Sequence, residues 1–546
     1  MQGGQDSRAD SPPITYLYTR RHPKSTAHAP AGSAIQTAPM SKSDFYTRYK
    51  PLRNFLRQCD LEHSVRDLWA MSRYIFDRTA PGLQLHGKPP NVKLKDYVFP
   101  WDVLTYAKEV ILHATPGGPK RLDSFASVRF LANSVKQLEN YAAQLRNEPD
   151  NVLAELHRIG HRQFPLQSHD DERALLRYLK VFGTTDVQSI LRDTTGLGIR
   201  EFYFLGMAIG GHLMQRFDVN ADQDYSYFGI DRRRSTAFFR MLSRPVARMR
   251  EDIEEVQVYD PDWEYAWNPL EAHPMVALDP MHPNRLYCPI PALLLKRVSR
   301  GLYYDMVKAK GFTTPFGDAF QRYVGEILST VFVGSAFSVH AESPYYIGKD
   351  LHHGADWILS GPDANLFIEC KTKRMRQDAK FSLTGPSLVE EIGKIADAVV
   401  QLYKNIQDAE DGHANWKPNG LPNYPVVVTL EDWYLFGPLP QGYLKETLAE
   451  RMRRTGLQEG LLHSKPYAVA SARELEMLAP VVRSVGVDKF FRQKGTTDYR
   501  HWMLDAFARE CFPDVPRGNI ARMFRAEWRG IFPEEALPES AVSSAE

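Results

Sequence analysis

A chain of 546 residues with 43% hydrophobic and 12% aromatic residues is long enough to bury several cores, which excludes a disordered or fibrous protein and predicts two to four domains. The 68 basic and 66 acidic residues leave a formal charge of only +2, so a surface that is basic throughout, as in histone-like proteins, is excluded. Any contact with nucleic acid must therefore be local.

The spacing of the cysteines and the length of the apolar runs indicate the cellular compartment of the protein. The four cysteines lie far apart, so they have neither the close pairs of a zinc site nor the density of a secreted disulfide scaffold. They are Cys59, Cys288, Cys370 and Cys511. No run of about 18 apolar residues appears, and the N-terminus lacks a charged segment followed by an apolar core and a cleavage site. We therefore expect a cytoplasmic protein that does not associate with a membrane.

The first 165 residues divide into a tail and a helical region. Residues 1–42 are rich in Ser, Pro, Ala, Gly and charged residues, so they predict a disordered tail. Residues 43–165 predict a helical domain because apolar residues recur there at helical spacing, and Asp123 or Ser124 can cap one of its helices. The clearest apolar stripe consists of Leu122, Phe125, Val128, Leu131, Val135 and Leu138.

Residues 166–300 predict a second helical region that ends in an irregular connector. Helical patterns cover residues 174–182, 186–191, 199–217 and 235–250, with Gly-containing and Asp-rich turns between them. Prolines and tryptophans crowd between residues 259 and 291, where proline breaks helices, and the short run Leu286-Tyr287-Cys288 predicts a strand. We expect the helical regions to contact substrate, a partner protein or a second copy of the chain.

Residues 301–515 predict an α/β domain, followed by a C-terminal tail over residues 516–546. A helix at about 316–330 precedes short β-rich runs, a long helix at 388–407 and the β-branched, aromatic run 426–436. Further helices are predicted at 444–455, 472–485 and 499–512, with a strand at 467–470. The fold class is thus an α/β core, a mixed sheet flanked by helices, preceded by a mainly α-helical N-terminal region.

Two apolar runs on either side of a Gly-Pro-Asp turn predict a β-hairpin over residues 354–371. If the turn is centred between Pro362 and Asp363, Asp356 lies opposite Glu369. Directly opposed side chains of an antiparallel pair project to the same face, and Lys371, two residues beyond Glu369, joins them there. Both strands are otherwise apolar, so a bound divalent cation would explain why ionisable groups converge on them.

This arrangement resembles the PD-(D/E)XK nuclease superfamily, whose pattern is an Asp, a short spacer, and an acidic residue, any residue and Lys on the next strand. Glu369-Cys370-Lys371 matches the second half of the pattern. The literal Pro-Asp pair occurs here as Pro362-Asp363, but Asp363 lies roughly 20 Å along the strand from Glu369 at ~3.3 Å per residue, too far to share an ion. Asp356 is therefore the expected metal aspartate and Asp363 a turn residue.

The resemblance also implies the remaining parts of a nuclease site. Members often carry a further acidic residue on the helix before the hairpin, and Glu326 occupies that position, with an ordinary solvated glutamate as the alternative. Asp356, Glu369 and Glu326 would bind Mg²⁺ or Mn²⁺, and Lys371 would orient the attacking water or stabilise the growing negative charge.

Basic and polar residues beyond the hairpin are candidates for contact with nucleic acid. Lys373, Arg374 and Arg376 follow directly and could neutralise neighbouring phosphates, or form an ordinary solvated loop. Gln401, on the predicted long helix, is similar to a glutamine of exonuclease-like branches, although its spacing to Tyr403 departs from their Gln-x-x-x-Tyr form.

The resemblance implies a metal-dependent nuclease that hydrolyses DNA, with bacterial genome defence or repair as the expected setting by analogy. Two alternatives remain at this point. One is an RNase that uses the same site. The other is a non-catalytic protein, in which Asp356 and Lys371 form a salt bridge and the nuclease-like sheet acts as a nucleic-acid-binding module or scaffold.

Overall fold

The structure is a computed structural model that describes residues 42–77, 83–146, 155–167, 171–381 and 385–529. The predicted N-terminal tail, apart from its last residue, and residues 530–546 of the predicted C-terminal tail lie outside the described residues. From Lys42 onward the described residues belong to one compact unit. No helix in these ranges is both long and apolar enough to span a bilayer.

The N-terminal region is helical, as its apolar periodicity predicts. Asp60 caps the second helix by accepting from the His63 amide at 2.8 Å, and Ser124 Oγ accepts from the Ser127 amide at the start of the fourth. Of the predicted stripe, five residues are buried in the same core as the first three helices, whereas Phe125 is only partly buried; the five are Leu122, Val128, Leu131, Val135 and Leu138. The helices are α1 (Lys42–Leu56), α2 (Leu61–Phe76), α3 (Pro100–His113), α4 (Phe125–Arg146) and α5 (Leu156–Gln167).

The second region combines helices with a small sheet of four short strands. The helix predicted over 235–250 is interrupted at a short strand ending in Pro245, because proline cannot donate a backbone hydrogen bond within a helix. The helices are α6 (Asp171–Phe182), α7 (Thr185–Thr195), α8 (Ile199–Leu213), α9 (Arg232–Leu242), α10 (Val246–Val256), α11 (Ala292–Val298) and α12 (Leu302–Met306). The strands are β1 (Asp218–Asn220), β2 (Ser243–Pro245), β3 (Met275–Ala277) and β4 (Arg285–Tyr287), and β4 confirms the predicted short strand.

The third region contains a five-stranded mixed sheet and its covering helices. The strands are β5 (Ser338–Ala341), β6 (Tyr345–Ile347), β7 (Asp350–His352), β8 (Trp357–Ser360), β9 (Asn365–Lys371), β10 (Asn423–Thr429) and β11 (Ala468–Ser471). The helices are α13 (Thr313–Phe332), α14 (Gln377–Phe381), α15 (Pro386–Glu410), α16 (Pro438–Arg454), α17 (Leu461–Ser464), α18 (Ala472–Val485), α19 (Val487–Lys494), α20 (Leu504–Cys511), α21 (Ile520–Met523) and α22 (Arg525–Arg529).

The order of this sheet is β11-β10-β9-β8-β5, and β6 and β7 form a separate hairpin between β5 and β8. Strands β9, β10 and β11 are parallel, whereas β8 and β5 are antiparallel to their neighbours. The predicted order of a helix, short β-rich runs, a long helix and a strand is therefore present as α13, the strands β5 to β9, the long helix α15 after the short α14, and β10. A mixed sheet flanked by helices and preceded by mainly helical regions confirms the predicted class at this level.

Two hydrophobic cores cover the two faces of the sheet. Leu359, Leu366 and Ile368 point to one face, where they join a core with α13 and α18 that also includes α6 to α9. Ile358 and Phe367 point to the other face, where they pack with α15 and α16. Successive side chains of a strand alternate between the two faces of the sheet, so side chains two residues apart pack into the same core.

Candidate active site at the end of the mixed sheet

The register of β8 and β9 brings the predicted aspartate and glutamate together. Trp357 pairs with Ile368 and Ser360 with Asn365, so the same register, continued by one residue, places Asp356 opposite Glu369. The Gly361 amide donates to the Ala364 carbonyl at 2.9 Å, which closes the short turn that sets this register. Asp356 and Glu369 therefore lie on the face of the sheet that α15 covers.

Glu369 is a buried carboxylate with one free oxygen. Its exposed fraction is 4%, and its Oε1 accepts from the Lys371 ammonium at 2.5 Å. Its Oε2 is buried and has no hydrogen-bond partner among the described residues. A buried carboxylate oxygen without a partner is costly, so this atom is suited to a cation or a water-mediated contact. The Lys371 side chain, which donates to Glu369, is 35% exposed.

Asp356 is held by the backbone at the end of the strand ladder. Its Oδ2 accepts from the Cys370 backbone amide at 2.6 Å. This bond to a side chain replaces the next backbone hydrogen bond between the two strands. This bond fixes the aspartate beside Glu369 without using its second oxygen. The sheet thus positions both carboxylates through backbone geometry rather than through flexible loops.

Burial raises the pKa of both carboxyl groups. Burial, and then the charge of Asp356, raise the pKa of Glu369 to about 7, while Lys371 acts in the opposite direction. Burial also raises the pKa of Asp356, against the bond from Cys370 and the charge of Lys371, and the charge of Glu342 raises it further. A cation bound at the pair would favour the ionised form of both groups.

The structure does not bring Glu326 to this pair, contrary to the sequence-based expectation. Trp357 packs against Gly325 of α13, so α13 covers the face of the sheet opposite to the one that carries Asp356 and Glu369. The Glu326 carboxylate forms an ion pair with Lys180 of α6 at 2.7 Å, and its side chain is 47% exposed. Glu326 therefore belongs to the contact between α13 and α6.

The basic residues after the hairpin separate into two groups. Lys373 and Arg376 are exposed, and Arg376 donates to Glu390 at 2.9 Å. Arg374, predicted to contact nucleic acid, is instead buried, with its guanidinium 4.3 Å from the ring centre of Tyr303. It donates to the Tyr178 hydroxyl at 2.9 Å, which makes it a structural residue.

Two further predicted positions have clear places in the structure. Gln401 is partly buried on α15, and the Asn423 amide donates to Glu410 at 2.7 Å at the end of that helix. Gln401 lies roughly 14 Å back along the helix from Glu410 at ~1.5 Å per residue, on a different side of α15 from the apolar stripe that packs on the sheet. Asp363, the rival aspartate, accepts from the amides of Val487 and Asp488, so it caps α19 and takes no part in the site.

Sequence reasoning missed Glu342, which follows directly after β5. Ala341 pairs with Trp357, and the Glu342 amide donates to the Asp356 carbonyl at 3.0 Å, so the register places Glu342 opposite Asp356. Its charge acts on both Asp356 and Glu369. The only local signal was an acidic residue after a short β-rich run, which does not specify its strand partner.

The chemistry of the donor set fits Mg²⁺ or Mn²⁺, since these ions prefer carboxylate oxygens, and Mg²⁺ commonly takes one or two carboxylates together with waters and substrate phosphate. The unpartnered Oε2 of Glu369 supplies one such oxygen. In the present side-chain positions, however, the described part of the chain contains no group of three or more His, Cys, Asp or Glu residues arranged to hold a metal ion. Asp356 and Glu369, which the strand register brings together, would hold it.

Comparisons with known proteins add no family assignment. No protein-family model, no curated protein and no solved structure matches this chain. A functional interpretation therefore depends on the geometry and chemistry of Asp356, Glu369 and Lys371.

Proposed function

We propose that this protein is a metal-dependent nuclease that hydrolyses phosphodiester bonds of DNA, with Asp356, Glu369 and Lys371 at its centre. The main support is the pairing of Asp356 with Glu369 on one face of the sheet, where Glu369 keeps a buried oxygen without a partner. Two carboxylates and an ammonium group at the end of adjacent strands match the chemistry needed to hold a cation beside a phosphate.

Each residue has a distinct role in this proposal. Asp356 and Glu369 would hold the cation, and Lys371, which donates to Glu369, lies beside them. The Lys371 ammonium donates to the attacking water or to a phosphate oxygen, where negative charge develops. A bound Mg²⁺ or Mn²⁺ supplies polarisation of the phosphate and a lowered pKa for the water. The water oxygen bonds to phosphorus, the bond from phosphorus to the leaving oxygen breaks, and that oxygen takes the proton.

The surroundings of the site suit a polyanionic substrate. Lys373 is exposed two residues after Lys371, and Arg376 is exposed beyond it. The charge of Lys373 would neutralise a phosphate next to the scissile one, and Arg376 would do so on exchanging its ion pair with Glu390, which makes binding dependent on salt. Gln401, partly buried on α15, is the proposed polar contact from the helix side.

The ion pair between Lys371 and Glu369 supports one other reading, in which the two groups satisfy each other and the sheet acts as a scaffold. Such a pair needs no cation and would make the chain a non-catalytic binding protein. The charge balance favours the catalytic reading: the register pairs two carboxylates, Asp356 and Glu369, against the single ammonium group of Lys371, so the ion pair alone leaves a negative charge that a cation would balance.

The experiment is incubation of the full-length protein with DNA and RNA of the same sequence, in Mg²⁺, in Mn²⁺ and in a chelator. The proposal expects cleavage of DNA that requires the metal and stops with the chelator. Cleavage of RNA alone would assign the same site to an RNase. Binding of either nucleic acid without cleavage in both metals would establish the scaffold and reject the nuclease.

A further inference from the structure

We propose that Glu342 is a third carboxylate ligand of the same cation site, supplied by the strand next to Asp356. This inference depends on the nuclease function proposed above and adds a residue that the PD-(D/E)XK pattern does not predict. It makes the site a row of three acidic side chains from three adjacent strands.

The strand register brings the three carboxylates into one row across the sheet. Ala341 pairs with Trp357 and Trp357 with Ile368, so the next row across the sheet contains Glu342, Asp356 and Glu369. The bond from the Glu342 amide to the Asp356 carbonyl, at 3.0 Å, shows that the ladder reaches this row. Residues in one row point to one face, and neighbouring strands are ~4.8 Å apart, so Glu342 and Glu369 flank Asp356 within the reach of glutamate side chains.

The row carries more negative than positive charge. Three carboxylates stand against one ammonium group, that of Lys371, which bonds only to Glu369 among them. The excess of negative charge, together with the buried and unpartnered Oε2 of Glu369, leaves the row in need of a positive ion. Because this oxygen is a separate observation, the proposal does not depend on the acidic cluster alone.

His353 explains why the three carboxylates are not gathered in the present structure. Its Nδ1 lies 2.9 Å from Glu342 Oε1, and its side chain is 64% exposed. An exposed pair of this kind contributes little stability, so the Glu342 carboxylate can leave the imidazole at small cost. Glu342 thus turns from His353 to the cation when the ion binds.

The test is calorimetric titration of the full-length protein with Mn²⁺ alone, in the absence of nucleic acid. E342Q keeps the shape of the side chain but removes its charge, and it should weaken Mn²⁺ binding at least about tenfold, since even residues one step removed from a metal cost about 10- to 100-fold. The matched control is E450Q on α16, where the exposed Glu450 pairs with Arg454, and its Mn²⁺ affinity should equal that of the unmodified protein. Unfolding temperatures of both variants verify that they fold.

A third variant, E369Q, separates this inference from the proposed function. If E369Q weakens Mn²⁺ binding and E342Q does not, Glu342 is not a ligand and the two-carboxylate site stands. If neither variant changes Mn²⁺ affinity relative to E450Q, both the inference and the proposed metal site are rejected. Weakening by E342Q and E369Q together supports the three-carboxylate row.

Discussion

Gly325 of α13 leaves the space that the indole ring of Trp357 occupies. A Cβ at position 325 would overlap this ring, and the Trp357 Nε1 donates to the Gln321 carbonyl at 2.9 Å. This contact fixes β8 against α13 and turns Trp357 to that side of the sheet. Because neighbouring side chains alternate, it also directs Asp356 to the opposite face, where Glu369 lies.

The first prediction concerns this contact and compares two glycines of the same helix. G325A should lower the free energy of unfolding by about 1–3 kcal/mol, because the added methyl group displaces Trp357 from a packed core. G317A is the control: a Cβ there meets no atom within 4 Å, so it should stabilise by up to about 1 kcal/mol through helix propensity. Urea unfolding measures both, and equal stabilisation by the two substitutions would contradict the proposed packing.

The second prediction separates the structural and chemical roles of Asp356. D356N retains an oxygen that accepts from the Cys370 amide, whereas D356A leaves that amide without its partner. D356A should therefore be about 1–3 kcal/mol less stable than D356N in urea unfolding. Both variants should lose metal-dependent cleavage, since each removes the carboxylate. A D356N variant that still cleaves DNA would show that Asp356 does not bind the metal.

The third prediction follows from the raised pKa of Glu369. Since the folded-state pKa of about 7 lies above the ordinary value of 4.5, the folded chain holds a proton there that the unfolded chain has lost between these pH values. The stability contribution of Glu369 therefore falls as the pH rises from about 4.5 to about 7. E369Q has no such titration, so its stability relative to the unmodified protein should rise over this range by up to ~3 kcal/mol, at ~1.4 kcal/mol per pKa unit.

Urea unfolding of both proteins at intervals from pH 4.5 to pH 8, without divalent metal, measures this difference. The comparison cancels distant groups that titrate in the same range, such as Glu474, whereas Asp356, whose charge acts on Glu369, contributes to the measured difference. A difference between the two proteins that stays constant with pH would show that Glu369 ionises normally and is not in a buried, repulsive environment.

The fourth prediction contrasts two neighbouring basic residues. R374A should destabilise the protein by about 3 kcal/mol, because it removes the buried partner of Tyr178 and leaves Glu431, 3.6 Å away, without that cation. K373A, at an exposed position, should change stability by less than about 0.5 kcal/mol but lower the salt dependence of DNA binding by about one unit of slope. A loss of stability in K373A and none in R374A would reverse these assignments.

The hairpin register could be predicted from the sequence because it depends on a local turn. The apolar runs on either side of Gly361 to Ala364 define the centre of the hairpin, and the opposition of Asp356 and Glu369 follows from it. Lys371, two residues beyond Glu369 on the same strand, then points to the same face of the sheet as Glu369. The core of the candidate site therefore needed no long-range information.

The remaining site residues depend on contacts that are distant in sequence. The helical spacing around Glu326 is correct, but only the packing of α13 shows that it meets Lys180. Arg374 belongs to a basic run, and such runs are usually solvated; its burial depends on Tyr178 and Glu431, far from it in the chain. Glu342 was missed because the hairpin of β6 and β7 separates β5 from β8, so no short turn sets their register.

The most direct test of the central claim is nicking of supercoiled plasmid by the full-length protein in Mg²⁺, compared among the unmodified protein, E369A, K371A and E326A. We expect nicking by the unmodified protein and by E326A, whose glutamate lies on the other side of the sheet, and none by E369A or K371A. Nicking by E369A and K371A at the rate of the unmodified protein would contradict the account, because the cutting would then come from another site.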